Sequence, residues 1–486
     1  MSSIPNLRIG LFGIGLAAYW PQFPGLEARL QSYVQTVADR LAAPTNTIVN
    51  FGLVDSPERS VEVSHATRRE DVDLLVVYVT TYALSSTVLP IIRRAKVPVL
   101  VLNLQPTAAL DYAAFNALAD RTAASRTQQT GNWLAYCSAC PMPELANVFH
   151  RSGIPFHQVN GILGDSRSDD PTCWQEIDAW IAAAHVAHTL SHTRLGLMGH
   201  YYSGMLDIAT DLTTVASIFG THIEALEVDE LTALRLAILD TDVPAKLEAF
   251  AQAFDIRPDC PAPELDIAAR TSIALDQFVE KNQLGALAYF YKGTPGSPNE
   301  DTIASIILGT SMLTARGIST AGEYEIKNVL AMKILDTLGA GGSFTEYYAV
   351  DFTDDVVLMG HDGPGHTAIA ESLAKVRPLE IFHGKVGRGL SVEMSVKQGP
   401  VTLLSVVECK HKGFKFLVAQ GEVEPGPILQ IGNTNSRFRF PIGARNFLTQ
   451  WNAQAPAHHC AIGSGHLVPT LQKLAHLLNI DLFQVC

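Results

Sequence analysis

Along the first third of the chain, short apolar runs alternate with amphipathic stretches. LRIGLFG, TIVNFGLVD, DLLVVYV and VPVLVLNL read as strands, and LEARLQSYVQTVADRL, SPERSVEVSHATRRE and SSTVLPIIRRAK read as the helices between them. Strands this apolar must be covered on both faces, which predicts a parallel sheet flanked by helices. The middle third repeats the pattern: RLGLMGH, a helix through MLDIATDLTTVASIFG, then HIEALEV, a long helical stretch and GALAYFYKG. From about Val356 onward helices thin out and strands crowd together as VVLMGH, EIFHGK, LSVEMSVK, PVTLLSVVEC and FKFLVAQGEVE. Lys397-Gln398-Gly399-Pro400 predicts a tight turn between two of them, and the chain closes with a helix, VPTLQKLAHLLN, and a last strand, IDLFQV. The pattern predicts an α/β chain: two doubly wound parallel-sheet domains over 1–192 and 193–341, then a mostly antiparallel, β-rich domain over 342–486.

Composition narrows the function classes. A chain of 486 residues exceeds what one core organises, and 47% hydrophobic with 17% charged residues describes a well-buried globular protein. The net charge of −13, with no basic stripe beyond Lys410-His411-Lys412, argues against nucleic acid as a partner. Polar residues interrupt every apolar run before membrane-spanning length, and the N-terminus has no secretory pattern. Seven scattered cysteines predict reduced thiols in a cytoplasmic protein. Cys137-Ser-Ala-Cys140 has neither a second pair nor a thioredoxin-type context and is read as without function. Gly13-Ile-Gly15-Leu-Ala-Ala18 follows the first strand in the dinucleotide pattern, but Pro21 and Pro24 delay the helix that would hold a pyrophosphate, and Asp55 comes too late for the ribose. Nucleotide binding is therefore not expected. The Tyr19-Trp20-Pro21-Gln22 loop reads instead as a ligand-contacting loop or a packing contact.

The segment Ala321–His366 carries most of the chemistry. Glu323 follows a glycine and opens a helical run; Glu346 lies on the strand-like SFTEYYAVDF; His361 ends VVLMGH. Two carboxylates and an imidazole in apolar settings suit a divalent cation that accepts O and N ligands, such as Mn²⁺. A fourth ligand is available downstream, where His458 and His459 are adjacent. Glu325, Asp351, Asp354, Asp355 and Asp362 also lie near these motifs. Most are read as solvated, with Asp362 able to tune His361.

Together these segments resemble the L-arabinose isomerases, within the wider group of L-fucose and L-arabinose isomerases. AGEYEIKN is similar to the family segment in which Ala-Gly-Glu supplies a metal-binding glutamate, here Glu323. GSFTEYYAVDF resembles the strand with the second glutamate, Glu346, and VVLMGH the strand end with a histidine ligand, His361. PAHHCAI resembles a Gly-X-His-His segment, with Pro456 in place of the glycine; its second histidine, the family's ligand, is His459. The resemblance implies two α/β domains with a β-rich third, a homo-oligomer (trimer or hexamer) whose neighbouring subunits help line the active site, and Glu323 and Glu346 as catalytic. It further places Met205 and Tyr291, within Tyr289-Phe290-Tyr291, at substrate-facing positions. There are departures. A family Gln-His-Leu-Tyr that touches the sugar reads Leu16-Ala17-Ala18-Tyr19 here, keeping the tyrosine, with Gln22 close by. A family Asn-Gln-Thr-Ala-His-Gly reads Gln128-Gln129-Thr130-Gly131-Asn132-Trp133, keeping Gln129 and replacing the histidine by Asn132. These changes fall on substrate-reading positions rather than on metal ligands.

The activity implied is aldose–ketose isomerisation of L-arabinose or a related pentose or hexose, with hydrogen moved between C1 and C2. A divalent ion polarises the carbonyl and stabilises an enediolate while two carboxylates act as base and acid. Either glutamate can take either role, and a hydride shift over the same ligands is a second route. The principal rival is a catalytically silent sugar-binding protein of the same fold; a metallohydrolase finds no H-E-x-x-H or H-x-x-E-H motif in its favour.

Overall fold

The computed structural model describes residues 6–119, 122–379, 388–411 and 413–486. The chain divides into two compact units, one ending at His188 and the other beginning at Thr189. In the first, five parallel strands, β1 (Leu7–Ile14), β2 (Asn46–Val54), β3 (Leu74–Tyr78), β4 (Val99–Gln105) and β5 (His157–Ile162), lie in the order β2-β1-β3-β4-β5. The apolar runs become central strands because both faces are covered: every residue of β3 is buried. The helix Leu26–Leu41 turns Leu26, Leu30, Val34, Val37 and Leu41 inward, the three- and four-residue spacing of one helical face. After Gly15 the chain makes only a 3-10 turn, Ala17–Tyr19, and the helix waits until Leu26. No helix N-terminus meets the glycine turn.

The second unit holds three sheets. β6 (Arg194–Gly199), β7 (His222–Leu226), β9 (Ala286–Phe290) and β10 (Ser319–Ala321) form a parallel sheet in the order β10-β9-β6-β7, while the short β8 (Asp255–Ile256) joins β13 (Lys375–Pro378) and β14 (Leu390–Glu393) elsewhere. β11 (Gly341–Asp351), β12 (Val356–His361), β15 (Gly399–Cys409), β16 (Gly413–Glu424), β17 (Thr434–Arg439) and β18 (Cys460–Ser464) run β15-β18-β11-β12-β17-β16, and a further β15–β16 pairing closes them into an antiparallel ring. β19 (Asp481–Gln484) adds in parallel to β16. The α/β chain with a β-rich, mostly antiparallel C-terminal region is thus as expected.

Local differences have local causes. The helix expected through MLDIATDLTTVASIFG starts only at Leu212, because the Asp211 carboxylate accepts from the N–H groups of Thr213 and Thr214 and caps it there. Lys397-Gln398-Gly399-Pro400 leads from the small sheet into the ring rather than making a hairpin within one sheet. EIFHGK, expected as a strand, lies outside the described residues. All seven cysteines are free thiols, and no helix among the described residues is long and apolar enough to cross a membrane.

Two close approaches fix the strands that matter for the site. Gly342, at φ +127°, brings the start of β11 against the helix Ile326–Thr337, where a Cβ would lie 2.4 Å from the Met332 carbonyl oxygen. A Cβ on Gly360, next to His361, would lie 1.6 Å from the Thr434 carbonyl oxygen. The ends of β11 and β12 are therefore pinned at backbone contact.

Candidate metal centre

The candidate centre is built within the second unit from three segments. β12 delivers His361 as its last residue. The segment before β18 delivers His458 and His459. Glu323 comes from the turn between β10 and the helix Ile326–Thr337. The sequence reading had Glu323 opening that helix, but Glu323 and Tyr324 both adopt left-handed backbone, φ +59° and +63°. Two consecutive non-glycine residues there cost about 1–2 kcal/mol each. The turn is held by bonds from the Tyr324 N–H to the Tyr289 carbonyl (3.1 Å) and from the Glu325 N–H to the Gly322 carbonyl (3.0 Å). It reverses the chain so that the Glu323 carboxylate faces His459.

Glu323, His361 and His459 offer ligand atoms that all lie within 4.8 Å of one another. The Glu323 Oε2 to His459 Nε2 separation is 3.4 Å. Phe344 packs on both imidazoles, its ring centre 4.2 Å from that of His361 and 4.5 Å from that of His459. Glu346 belongs to a second, overlapping group with His458 and His459, and its Oε2 lies 2.7 Å from His458 Nε2. His459, fully buried, is common to both groups. The four residues singled out from the sequence thus converge, with Glu346 on the His458 side of His459.

Hydrogen bonding suits both buried histidines to a cation. His459 Nδ1 lies 3.3 Å from Glu325 Oε2 and is assigned as the N–H that donates to it. Its Nε2 is then a buried lone pair, and it has no hydrogen-bond partner. The Nδ1 of His361 likewise bonds the Asp362 backbone carbonyl, leaving Nε2 as the ligand atom. Burial drives the His361 pKa below the ordinary imidazole value, against the pull of Asp362, so the ring is neutral where metal would bind. Burial raises Glu346, but the hydrogen bond from His458 and the electrostatic pull of the surrounding imidazoles outweigh it and hold the carboxyl below its usual range. The same hydrogen bond raises His458. A carboxylate oxygen and two imidazole nitrogens, one of them an orphaned buried acceptor, form a donor set that fits a divalent cation.

The sign of one pH effect follows. A histidine depressed in the folded state favours folding at and above the unfolded value of about 6.5, and that contribution is lost as pH falls through its folded value. Metal-free protein is expected to lose thermal stability below about pH 6.5, and His361→Gln should flatten that acid limb; an unchanged limb would assign it to other groups.

Glu325 corrects the sequence reading. Among the carboxylates read as mostly solvated it is fully buried, paired through Oε1 with the buried ammonium of Lys327 at 2.9 Å. Lys327 Nζ also donates to the Asp207 carbonyl (2.8 Å), and Asp207 Oδ2 accepts from the His458 N–H (2.8 Å). One network thus orients His459 and ties the loop after β6 to the histidine segment. The Glu-X-Glu-X-Lys spacing was visible, but nothing in its local pattern marked the second carboxylate as interior.

A cavity of about 340 Å³ opens onto the centre, with Glu323, His361 and Asp362 in its wall. Tyr291 lines it, as do Tyr202 and Ser203 from the loop after β6; Met205 of that loop is not among its lining residues. The remaining predicted substrate residues belong to the first unit. There Tyr19 packs edge-on against Phe23 with ring centres 5.9 Å apart. A Cβ on Gly131 would lie 3.5 Å from Phe23 Cβ, so the Tyr19 loop abuts the helix Ala123–Leu134 that carries Gln129 and Asn132. Gln129 donates to the Phe115 carbonyl (3.1 Å) and the exposed Gln22 to the Ala18 carbonyl (2.6 Å).

No protein-family model matches the chain. Among named proteins, it is 24% identical over 361 residues to an L-arabinose isomerase of Nocardioides sp. (strain ATCC BAA-499 / JS614), covering 70% of this chain and 68% of that one. It is 24% identical over 277 residues to an L-arabinose isomerase of Shewanella sp. (strain MR-4), covering 54% and 53%. A third, from Shewanella baltica (strain OS223), is 23% identical over 326 residues, 63% of each chain. The matches therefore span from about half to about two thirds of those proteins.

Proposed function

We propose that this chain is a metal-dependent aldose–ketose isomerase acting on L-arabinose or a related pentose or hexose. The observation that carries the reading is His459: a fully buried imidazole, oriented by Glu325, whose Nε2 lone pair has no hydrogen bond and faces Glu323. The names of the distant relatives point the same way. Glu323, His361 and His459 would hold the ion, most simply Mn²⁺. When bound, it would supply Lewis-acid polarisation of the oxygens on C1 and C2.

This chain's own residues do the rest. Glu346, kept ionised by His458, accepts the proton from one carbon and returns it to the other. The Phe344 ring keeps water from the two imidazoles. Tyr202 and Tyr291 give the sugar a wall of amphipathic rings. Tyr19, Gln22, Gln129 and Asn132 read the distal hydroxyls, and a homo-oligomer is expected. With Asn132 in place of a histidine, the preferred sugar is expected to differ from L-arabinose in a distal hydroxyl, because a site built around one hydroxyl rejects others steeply.

Metal analysis of the purified protein, with a ketose assay over pentoses and 6-deoxyhexoses, tests the reading. Turnover that disappears with chelation and returns with Mn²⁺ supports it. Tight sugar binding without turnover of any aldose in the metal-loaded protein would favour the silent sugar-binding protein. Glu346→Gln is expected to slow turnover by about 10²–10⁴-fold while metal content stays near wild type, since Glu346 lies outside the Glu323–His361–His459 group. Equal loss of metal and rate would make Glu346 a ligand instead.

A further inference from the structure

The cavity at the candidate centre is roomier than a pentose needs. About 340 Å³ lies within the range of sites that enclose drug-sized ligands, and a pentose has few heavy atoms to fill it. Away from Glu323 and His361 its wall includes Lys292, Glu300 and Arg388. A neighbouring depression of about 590 Å³ shares Pro295, Glu300 and Arg388 with it and adds Arg235, Ser297 and Asp301.

These groups form a built cationic corner. After β9 the chain runs Tyr291-Lys292-Gly293-Thr294-Pro295-Gly296-Ser297, with Gly293 and Gly296 at φ +57° and +78°. The buried Glu300 accepts from the Gly296 N–H at 2.5 Å and so holds this loop in shape. Asp301 takes a guanidinium N–H from Arg235 at 2.5 Å and one from Arg388, clamping both arginines to a single carboxylate. Arg388 lies 3.9 Å from Glu300. Arg235 and Arg388 thus share the Asp301 carboxylate, and Lys292 lines the cavity together with Arg388. Arg235 is only 7% exposed, and its Nε finds no hydrogen-bond partner. Lys292 is exposed and lines the cavity at the candidate centre. Lys292 and Arg388, both on the wall of the cavity at the centre, offer N–H donors to an anion presenting several acceptor oxygens.

We propose that the substrate is an open-chain sugar whose far end carries an anionic group, phosphate or carboxylate, bound by Lys292 and Arg388, with Arg235 held beside Arg388 on the same Asp301 carboxylate. The proposal rests on the isomerase reading for what happens at C1 and C2; the anion site itself does not.

The test compares a neutral pentose, its 5-phosphate and the matching uronate in the ketose assay with metal-loaded protein. Calorimetry with the corresponding pentitol and pentitol 5-phosphate, which cannot isomerise, gives a readout independent of turnover. We expect one anionic sugar to exceed the neutral one at least ten-fold in kcat/KM, the better of the two naming the anion. The pentitol phosphate should bind at least ten-fold tighter than the pentitol, with an advantage that shrinks as salt rises. Lys292→Met, at an exposed position that folding tolerates, should lower kcat/KM for the anionic sugar at least ten-fold more than for the neutral one. Turnover of neutral sugars alone, with no binding preference for the phosphate, would overturn the anion site and leave the isomerase reading standing. Salt-sensitive phosphate binding lost in Lys292→Met, without turnover of any sugar, would keep the anion site and overturn the isomerase reading.

Discussion

Glu323→Gln is expected to lower isomerisation by at least about three orders of magnitude and metal affinity by more than about 100-fold, with the fold intact. Loss of a group that only orients a ligand typically costs 10–100-fold in affinity, and Glu323 would be a ligand itself, the carboxylate grouped with His361 and His459 among the described residues. Its removal leaves two imidazoles and no carboxylate of that group facing the ion. The fold should survive because Glu323 lies in a turn held by backbone hydrogen bonds of its neighbours and because glutamine fills the same volume. Metal titration followed by the ketose assay reads both effects. Retention of more than about a tenth of the wild-type rate, against the 10²–10⁴-fold that general-base catalysis alone contributes, would remove Glu323 from the centre.

Lys327→Met should be the most destabilising single change near the centre, by about 3–5 kcal/mol, since it strands the Glu325 carboxylate as an unpaired buried charge. Both side chains are essentially inaccessible to water, 2% and 0% exposed. The ammonium also holds the Asp207 carbonyl, so the loop after β6 should loosen and weaken the hold of Asp207 on the His458 N–H. The double change Lys327→Met/Glu325→Gln removes both charges together and should recover most of the stability while metal binding stays weakened, because His459 loses its orienting carboxylate. Denaturation midpoints for the three proteins separate these effects. A single mutant within about 1 kcal/mol of wild type, far below the usual cost of breaking a buried pair, would mean that Glu325 is protonated when left alone.

Much of the architecture was legible because it depends on periodicity. Fully apolar runs separated by one-faced helices can be satisfied only by a covered parallel sheet, and β1, β3 and β4 appear where such runs occur. Where one side chain overrides the pattern, the reading slipped. Asp211 stops a helix that the apolar spacing would have extended. Glu323 stands in left-handed backbone ahead of its helix, a conformation that residue identity does not announce for glutamate or tyrosine.

By itself the sequence determined the α/β class, the β-rich end and the residue types able to bind a cation, since these follow from apolar period and from the chemistry of carboxylates and imidazoles. Only the tertiary structure decided which of them meet. His459 gathers Glu323 and His361 on one side and Glu346 with His458 on the other, and Glu325 and Lys327 become an interior ion pair rather than a solvated one. Lys292 and Arg388, far apart in the chain, come to line one cavity, and Arg235 joins Arg388 at the neighbouring depression. The reason is range: pattern is local, whereas burial arises from contacts between segments distant in the chain, as between Glu346 and His458, 112 residues apart, which no spacing along the chain encodes.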